Sequence, residues 1–262
     1  DFIDNTHAKE KRTDLELQSI KRELVHRHVA WLTALRYQLR EDKPWEMHLK
    51  ATKSNREFRE NYFRVCEDEI MLEDEIKRYL SDADFKEIFA KGNKSSQILG
   101  VQSRRLKELK EKGLIDDFRH MELENMLKEF YTLQGKSERI KNFPYPRQYA
   151  SLNHYFMWLL LLILPIAMVP QFIEIGETIA KSLPMIGDLF VWITIPIYVI
   201  IAWIFHTMER IGRTGENPFE GTANDVPIST IARGIEIDLR QNLGESNEEI
   251  PPQFDADYGV QF

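Results

Sequence analysis

Residues 155–172, YFMWLLLLILPIAMVPQF, carry no charged side chain. Extended back to Leu152, the run is 21 residues long. That is about 32 Å of α-helix, the thickness of the hydrocarbon core of a bilayer. A second run at 185–205, MIGDLFVWITIPIYVIIAWIF, is also 21 residues, and its one charge, Asp188, lies near an end where insertion costs less than at mid-bilayer. Buried core helices of a soluble protein usually carry a polar stripe, and neither run has one. The two runs therefore read as membrane spans at about 152–172 and 185–205, a helical hairpin within a transmembrane region 151–206.

The charges flanking the hairpin set its expected orientation. Lys136, Arg139, Lys141 and Arg147 precede the first span, and Arg210 and Arg213 follow the second, so both outer flanks are expected in the cytoplasm. The intervening loop, with Glu174, Glu177 and Lys181, would face the other side. Pro165, Pro170 and Pro196 each remove a backbone donor and predict kinks, which suits a channel-like or transporter-like bundle better than a plain anchor. Trp158, Trp192, Tyr198 and Trp203 read as packing or lipid-interface groups.

The rest of the chain is of a different composition. Residues 1–150 hold 30 basic and 28 acidic side chains, whereas residues 151–262 hold 5 and 14. The net charge of −7 over 262 residues leaves no global basic field for nucleic acid. Between Leu15 and Leu39 the apolar positions Ile20, Leu24, Trp31, Leu35 and Leu39 recur every three to four residues, which predicts an amphipathic helix ending at Lys43-Pro44. Further helices are expected over 56–79, 84–89, 95–112 and 116–136, with no strand-like alternation. The run RRLKELKEK at 104–112 interleaves acids and bases and reads as a solvated helix face. The expected fold is thus an all-α membrane protein: a cytoplasmic helical region 1–150, the hairpin, and a cytoplasmic C-terminal helix and tail over 207–262. The tail after Gly244, rich in Glu, Asp and Pro, reads as extended or wrapped on a neighbour.

No residue pattern nominates a catalyst. The P-loop, GxSxG, HExxH and paired CxxC signatures are absent. The single cysteine, Cys66, can form neither an intramolecular disulfide nor a cysteine-based zinc site, and reads as a buried, inert thiol. His26 and His28 point about 200° apart on a helix, and His154 and His206 lie on different spans, so no histidine metal site is expected. An enzyme is not expected, nor a cofactor. The N-terminus DFIDNTHAKEKRTD is polar and resembles no signal peptide. With residue 1 an Asp and only one hairpin behind 150 polar residues, further spans are expected upstream.

Three blocks, HRHVAWLTALRYQLR at 26–40, NFPYPRQYASLNHYF at 142–156 and ENPFEGTANDVPISTIARGIEIDLRQ at 216–241, resemble bacterial bestrophins. The resemblance implies a homopentameric, all-helical ion channel of the cell membrane, the bacterial inner membrane for a bacterial protein. Each subunit would carry four membrane helices, with an apolar neck on a helix outside this sequence. It also implies a second, cytoplasmic aperture made by one apolar side chain per subunit. GLIDDF at 113–118 falls where that aperture should lie, with Phe118 the first choice and Ile115 the second; self-packing of Phe118 is the alternative. Asp116 and Asp117, repeated around a pore, would favour cations, unless they cap a helix.

Eukaryotic bestrophins follow the NPF motif with an acidic run that clasps calcium. Here Asn217 and Asp225 remain, but Gly221, Thr222 and Ala223 interrupt the run, leaving too few hard oxygen anions for a calcium site. The block then reads as structural: Asn217 caps the exit from the membrane helix, Pro218 ends it and Phe219 anchors the tail. The implied partners are the bilayer, monovalent ions and further copies of the chain, the latter through apolar faces of the 15–39 helix and of helices at 96–135. The net −7 of residues 207–262 tilts selectivity to cations. A chloride or other anion channel, and a membrane-anchored scaffold without conduction, are the alternatives.

Overall fold

A computed structural model describes residues 2–43, 57, 65–143, 147–214, 218–222, 225–256 and 259–261. The described residues form helices joined by turns, with no β-strand element among them. They divide into two compact units, one of residues 1–142 with 218–262 and one of residues 143–217.

The first unit is built around helix α1 (Asp14–Arg40). Thr13 starts it with a reciprocal cap: Glu16 N–H donates to Thr13 Oγ1 and Thr13 N–H donates to Glu16 Oε2 at 2.8 Å. Four short or medium helices follow, α2 (Cys66–Glu69), α3 (Leu72–Ile76), α4 (Asp82–Phe89) and α5 (Lys94–Glu111). Ser81 and Asn93 cap α4 and α5 by accepting from Asp84 N–H and Ser96 N–H. Helix α6 (Asp117–Asn142) and, after the second unit, α10 (Ile228–Asn242) complete it. The helix expected over 56–79 is broken at 70–71 in its described part; most of 56–64, and Pro44, lie outside the described residues.

Two apolar clusters hold this unit. Val29, Ala30, Trp31 and Ala34 of α1 pack with Ile76, Ile88, Ile98 and Leu99, while Ile3, Leu106, Leu109, Leu114 and Ile115 form a second cluster at the α5–α6 corner. Trp31 stacks on Phe130 and donates its indole N–H to Gln134 at 2.9 Å. The apolar face of α1 is consumed by this core. It is therefore not free for a neighbouring subunit, as the sequence pattern suggested.

The second unit is the hairpin. Helix α7 (Arg147–Ala180) runs through both Pro165 and Pro170. Helix α8 (Pro184–Leu189), a 3₁₀ stretch (Phe190–Ile193) and helix α9 (Thr194–Thr214) make the returning limb. The expected acidic loop does not form, because Glu174 and Glu177 lie within α7 and only residues 181–183 join the limbs. Pro196 falls in the first turn of α9, directly after the 3₁₀ stretch. Residues 152–180 and 184–212 are each long and apolar enough to cross a bilayer, and their most apolar windows are only 11% and 6% buried. Soluble core helices would be mostly buried.

Candidate functional site

Within the hairpin, three contacts along its length tie the limbs. At the turn, Gly176 and Gly187 allow close approach: a Cβ on Gly187 would meet Ala180 at 2.4 Å, and one on Gly176 would meet the Gly187 carbonyl at 2.8 Å. In the middle, Tyr198 Oη donates to the Leu161 carbonyl at 2.9 Å. At the open end, His154 Nδ1 lies 2.9 Å from Glu209 Oε1, and Trp158 Nε1 donates to His154 Nε2 at 3.2 Å. The indole donor makes Nε2 the acceptor, so the Nδ1 proton points to Glu209. Tyr198 and Trp158 thus hydrogen-bond, which their reading as packing or interface groups did not anticipate.

The GLIDDF corner lies in the first unit. Phe118, the second residue of α6, is 84% exposed. Ile115 is 2% exposed, buried against Leu106, Leu109 and Leu114. That burial removes Ile115 as an aperture residue, because its side chain is already spent on the core. Asp116 accepts from Arg119 N–H at 2.9 Å and pairs with Arg119 Nε at 3.1 Å, the cap of α6. Asp117 pairs with Lys110 Nζ at 2.9 Å, and that hydrogen bond holds its carboxyl below the usual range. Both acids thus lie against cations of the same chain, Arg119 being shared with Asp4, which weakens the field expected from them.

An N-terminal strap lies across this corner. Asp4 N–H donates to the Leu114 carbonyl and Lys9 N–H to the Lys112 carbonyl. Asn5 closes the strap by donating to the Arg12 carbonyl and accepting from Arg12 N–H. Gly113, at φ 75°, sits beneath; a Cβ there would meet the His7 carbonyl at 2.1 Å. Arg119 Nη1 donates to Asp4 Oδ2 at 2.6 Å, and its guanidinium lies over the Phe2 ring.

Of the post-membrane block, Asn217 lies outside the described residues. Pro218 and Phe219 are half-buried, and Phe219 adopts φ 66°. Its carbonyl accepts from Arg40 Nη1 at 3.1 Å, so the block is fastened by its backbone. Asp225 closes the turn, accepting from Gly221 N–H and Val226 N–H. Arg40 Nη1 lies 3.8 Å from the same carboxylate.

From Asp225 a buried file of alternating charge runs through the unit. Arg40 and Arg36 face Glu67, at 3.8 and 3.1 Å. Arg36 Nη2 donates to Glu75 at 2.6 Å, and Arg233 reaches the other oxygen of Glu75 at 3.4 Å. Arg233 and Arg240 both donate to Glu236, and Arg240 Nε donates to Glu245 at 2.5 Å. His26 Nε2 and Arg22 Nε lie 2.8 and 2.9 Å from the far oxygen of Glu245. Tyr37, Tyr79 and Ser229 hydroxyls donate to Glu75, Glu236 and Glu67. Phe254 covers Arg233 and Arg36, with its ring centre 4.6 and 5.5 Å from their guanidinium carbons. The tail after Gly244 is therefore held on its own unit at this point. Cys66 accepts from Arg36, and burial pushes its thiol up to about 12.

The file inverts the expected packing of α10. Its buried face is Ser229, Arg233, Glu236 and Arg240, while Ile231 and Ile235 are exposed. Sequence reading missed this set, because the partners are far apart along the chain. The available signal was spacing: 229, 233, 236 and 240 share one helix face, as do Arg36 and Arg40.

Asp225 is thus committed to two backbone donors and Arg40.

Residues 5–241 match the family model described as bacterial/fungal bestrophin protein. The chain is 27% identical over 176 residues to the voltage-dependent anion channel-forming protein YneE of Escherichia coli strain K12, covering 67% of this chain and 51% of that protein. It is 25% identical over 181 residues to the voltage-dependent anion channel-forming protein mll4386 of Mesorhizobium japonicum, covering 68% of this chain and 53% of that one. The chain thus spans about half the length of the curated relatives it matches. A crystal structure of a bacterial bestrophin homologue from Klebsiella pneumoniae superposes with a TM-score of 0.64 at 20% identity, over 87% of this chain and 68% of that one. A single-residue variant of the same homologue superposes with a TM-score of 0.65 at 22% identity and the same coverage. With the family model matching from residue 5 to residue 241, the chain belongs to the bacterial/fungal bestrophin family.

Proposed function

We propose that this chain is part of a passive, oligomeric ion channel of the cell membrane, conducting small monovalent ions with no chemical step. The observation that carries this reading is family membership along nearly the whole chain, with relatives named as anion channel-forming proteins. The hairpin spans the bilayer, and residues 1–150 and 207–262 lie on the cytoplasmic side, as the basic flanks suggest. The oligomer is a homopentamer, as the resemblance implies, and the Phe118 rings form an apolar constriction around its axis. The exposed apolar residues of α6, including Met121, Met126 and Ile140, and the outer isoleucines of α10 are the surfaces that further copies would cover.

Anions are the favoured permeant class, as in the names of the relatives, rather than the cations suggested by tail charge. Asp116 and Asp117 are paired, and Asp225, Glu236 and Glu245 are spent on arginines, so these acids offer little free field to attract cations. Gating does not require calcium in this reading.

The test is current across planar bilayers holding the purified protein, with asymmetric potassium chloride, with and without calcium. A reversal potential towards the chloride equilibrium value supports the anion reading, and one towards potassium restores the cation reading. Absence of current from folded protein overturns the channel in favour of a membrane-anchored scaffold. Native mass spectrometry counts the subunits.

A further inference from the structure

The strap of residues 2–9 over the GLIDDF corner is fastened at several points. Its backbone donates on both sides of the α5–α6 turn, to Leu114 and Lys112, and Ile3 is buried in the corner cluster. Gly113 is the only residue type the turn admits. Its φ of 75° is left-handed, and any Cβ would drive into the His7 carbonyl. Beside the turn, Arg119 collects Asp4 Oδ2 at 2.6 Å, the Phe2 carbonyl at 3.4 Å and the Asp116 carboxylate at 3.1 Å.

Arg119 is the residue directly after Phe118, and Asp116 accepts its backbone N–H as the cap of α6. One guanidinium therefore joins the strap to the turn of helix that carries the exposed ring. Asp4 Oδ1 is itself held by Thr6 N–H at 2.8 Å, which stiffens the link. The Asp4–Arg119 pair is over a third exposed on both sides, so its contribution to stability is small. What it fixes is direction: with Phe118 84% exposed, the angle of this first turn is what aims the ring.

We propose that Asp4 is a positioning residue for the Phe118 constriction, acting through Arg119, and that the strap sets how far the ring projects. The inference rests on Phe118 forming the cytoplasmic aperture. Weakening the strap lets the first turn of α6 swing and changes ion flow through the ring, while the folded core, which does not use Asp4, persists.

The test uses the full protein in planar bilayers. Asp4→Asn is expected to change unitary conductance about two-fold, and Asp4→Glu, which keeps the carboxylate, to retain most of the parent value. In a Phe118→Ala background, Asp4→Asn is expected to add nothing, because no ring remains to be aimed. Gly113→Ala, which displaces the strap sterically, should reproduce the Asp4→Asn current. If Phe118→Ala changes conductance but Asp4→Asn leaves it unaltered in folded protein, the positioning role is overturned and the aperture stands. An Asp4→Asn effect that persists in the Phe118→Ala background also overturns it, since the carboxylate then acts on ions directly. If Phe118→Ala itself leaves conductance unaltered, the aperture reading fails and the strap inference with it.

Discussion

Tyr198 donates its hydroxyl to the carbonyl of Leu161, the acceptor four residues before Pro165. In an unbroken helix that carbonyl would take the N–H of residue 165, which proline lacks. A bilayer offers no water to take its place, so the opposite limb of the hairpin supplies the donor. The proline in α7 and the tyrosine in α9 are thus one device written in two places.

Removing the phenol should cost what an intramembrane hydrogen bond is worth. Tyr198→Phe is expected to destabilise the hairpin by about 0.5–1.5 kcal/mol, read as a lower unfolding midpoint in detergent. Pro165→Ala restores the backbone donor. In that background Tyr198→Phe should be nearly neutral, and an equal loss in both backgrounds would refute the pairing of the two residues.

The buried charge file predicts a larger and differently shaped loss. Arg233→Leu takes one of two arginines from each of the buried carboxylates Glu75 and Glu236, leaving the file one cation short, and removes the nearer cation beneath Phe254. The expected cost is about 3–5 kcal/mol, measured by chemical denaturation of the folded protein. Arg104→Leu, which breaks an exposed pair with Glu87, should cost less than about 1 kcal/mol in the same assay.

His28 gives the first unit a pH dependence of known sign. It lies against Trp31 and Phe130, and burial depresses its imidazole from 6.5 to about 4. The unfolded chain takes the proton near 6.5 and the folded chain only near 4, so between those values the unfolded state binds more protons. Stability is therefore full above pH 6.5 and falls as the pH drops towards 4, by about 3 kcal/mol at most from this residue. His28→Phe should flatten that part of the stability curve. An unchanged slope would exclude His28 as its origin.

Much of the fold was legible in the sequence because hydropathy and helical period are local. The two apolar runs marked the hairpin, and the recurrence from Ile20 to Leu39 marked α1, with only its ends displaced. What stayed hidden depends on partners distant along the chain. Nothing near Arg36 announces Glu67, Glu75 or Phe254, and a helix such as α10, with isoleucines outward and arginines inward, reverses the usual rule. The acidic loop was misplaced because two glutamates continue α7 rather than ending it. At the corner, Ile115 and Phe118 are both apolar and three residues apart; which one is buried depends on Ile3, more than a hundred residues earlier.

The first unit is assembled from two stretches of chain with the hairpin between them. Arg36 and Glu75 emerge from the ribosome long before Arg233 and Glu236, and they wait for charges encoded beyond both membrane segments. Synthesis thus imposes a chronology: the hairpin is made before the charge file can close. A chain arrested at residue 217 would carry its spans but leave Glu75 without one of its arginines and Arg36 without its aromatic cover. Such a product should remain open to protease around residues 65–80, so residues 218–262 seal a unit begun ahead of the membrane segments.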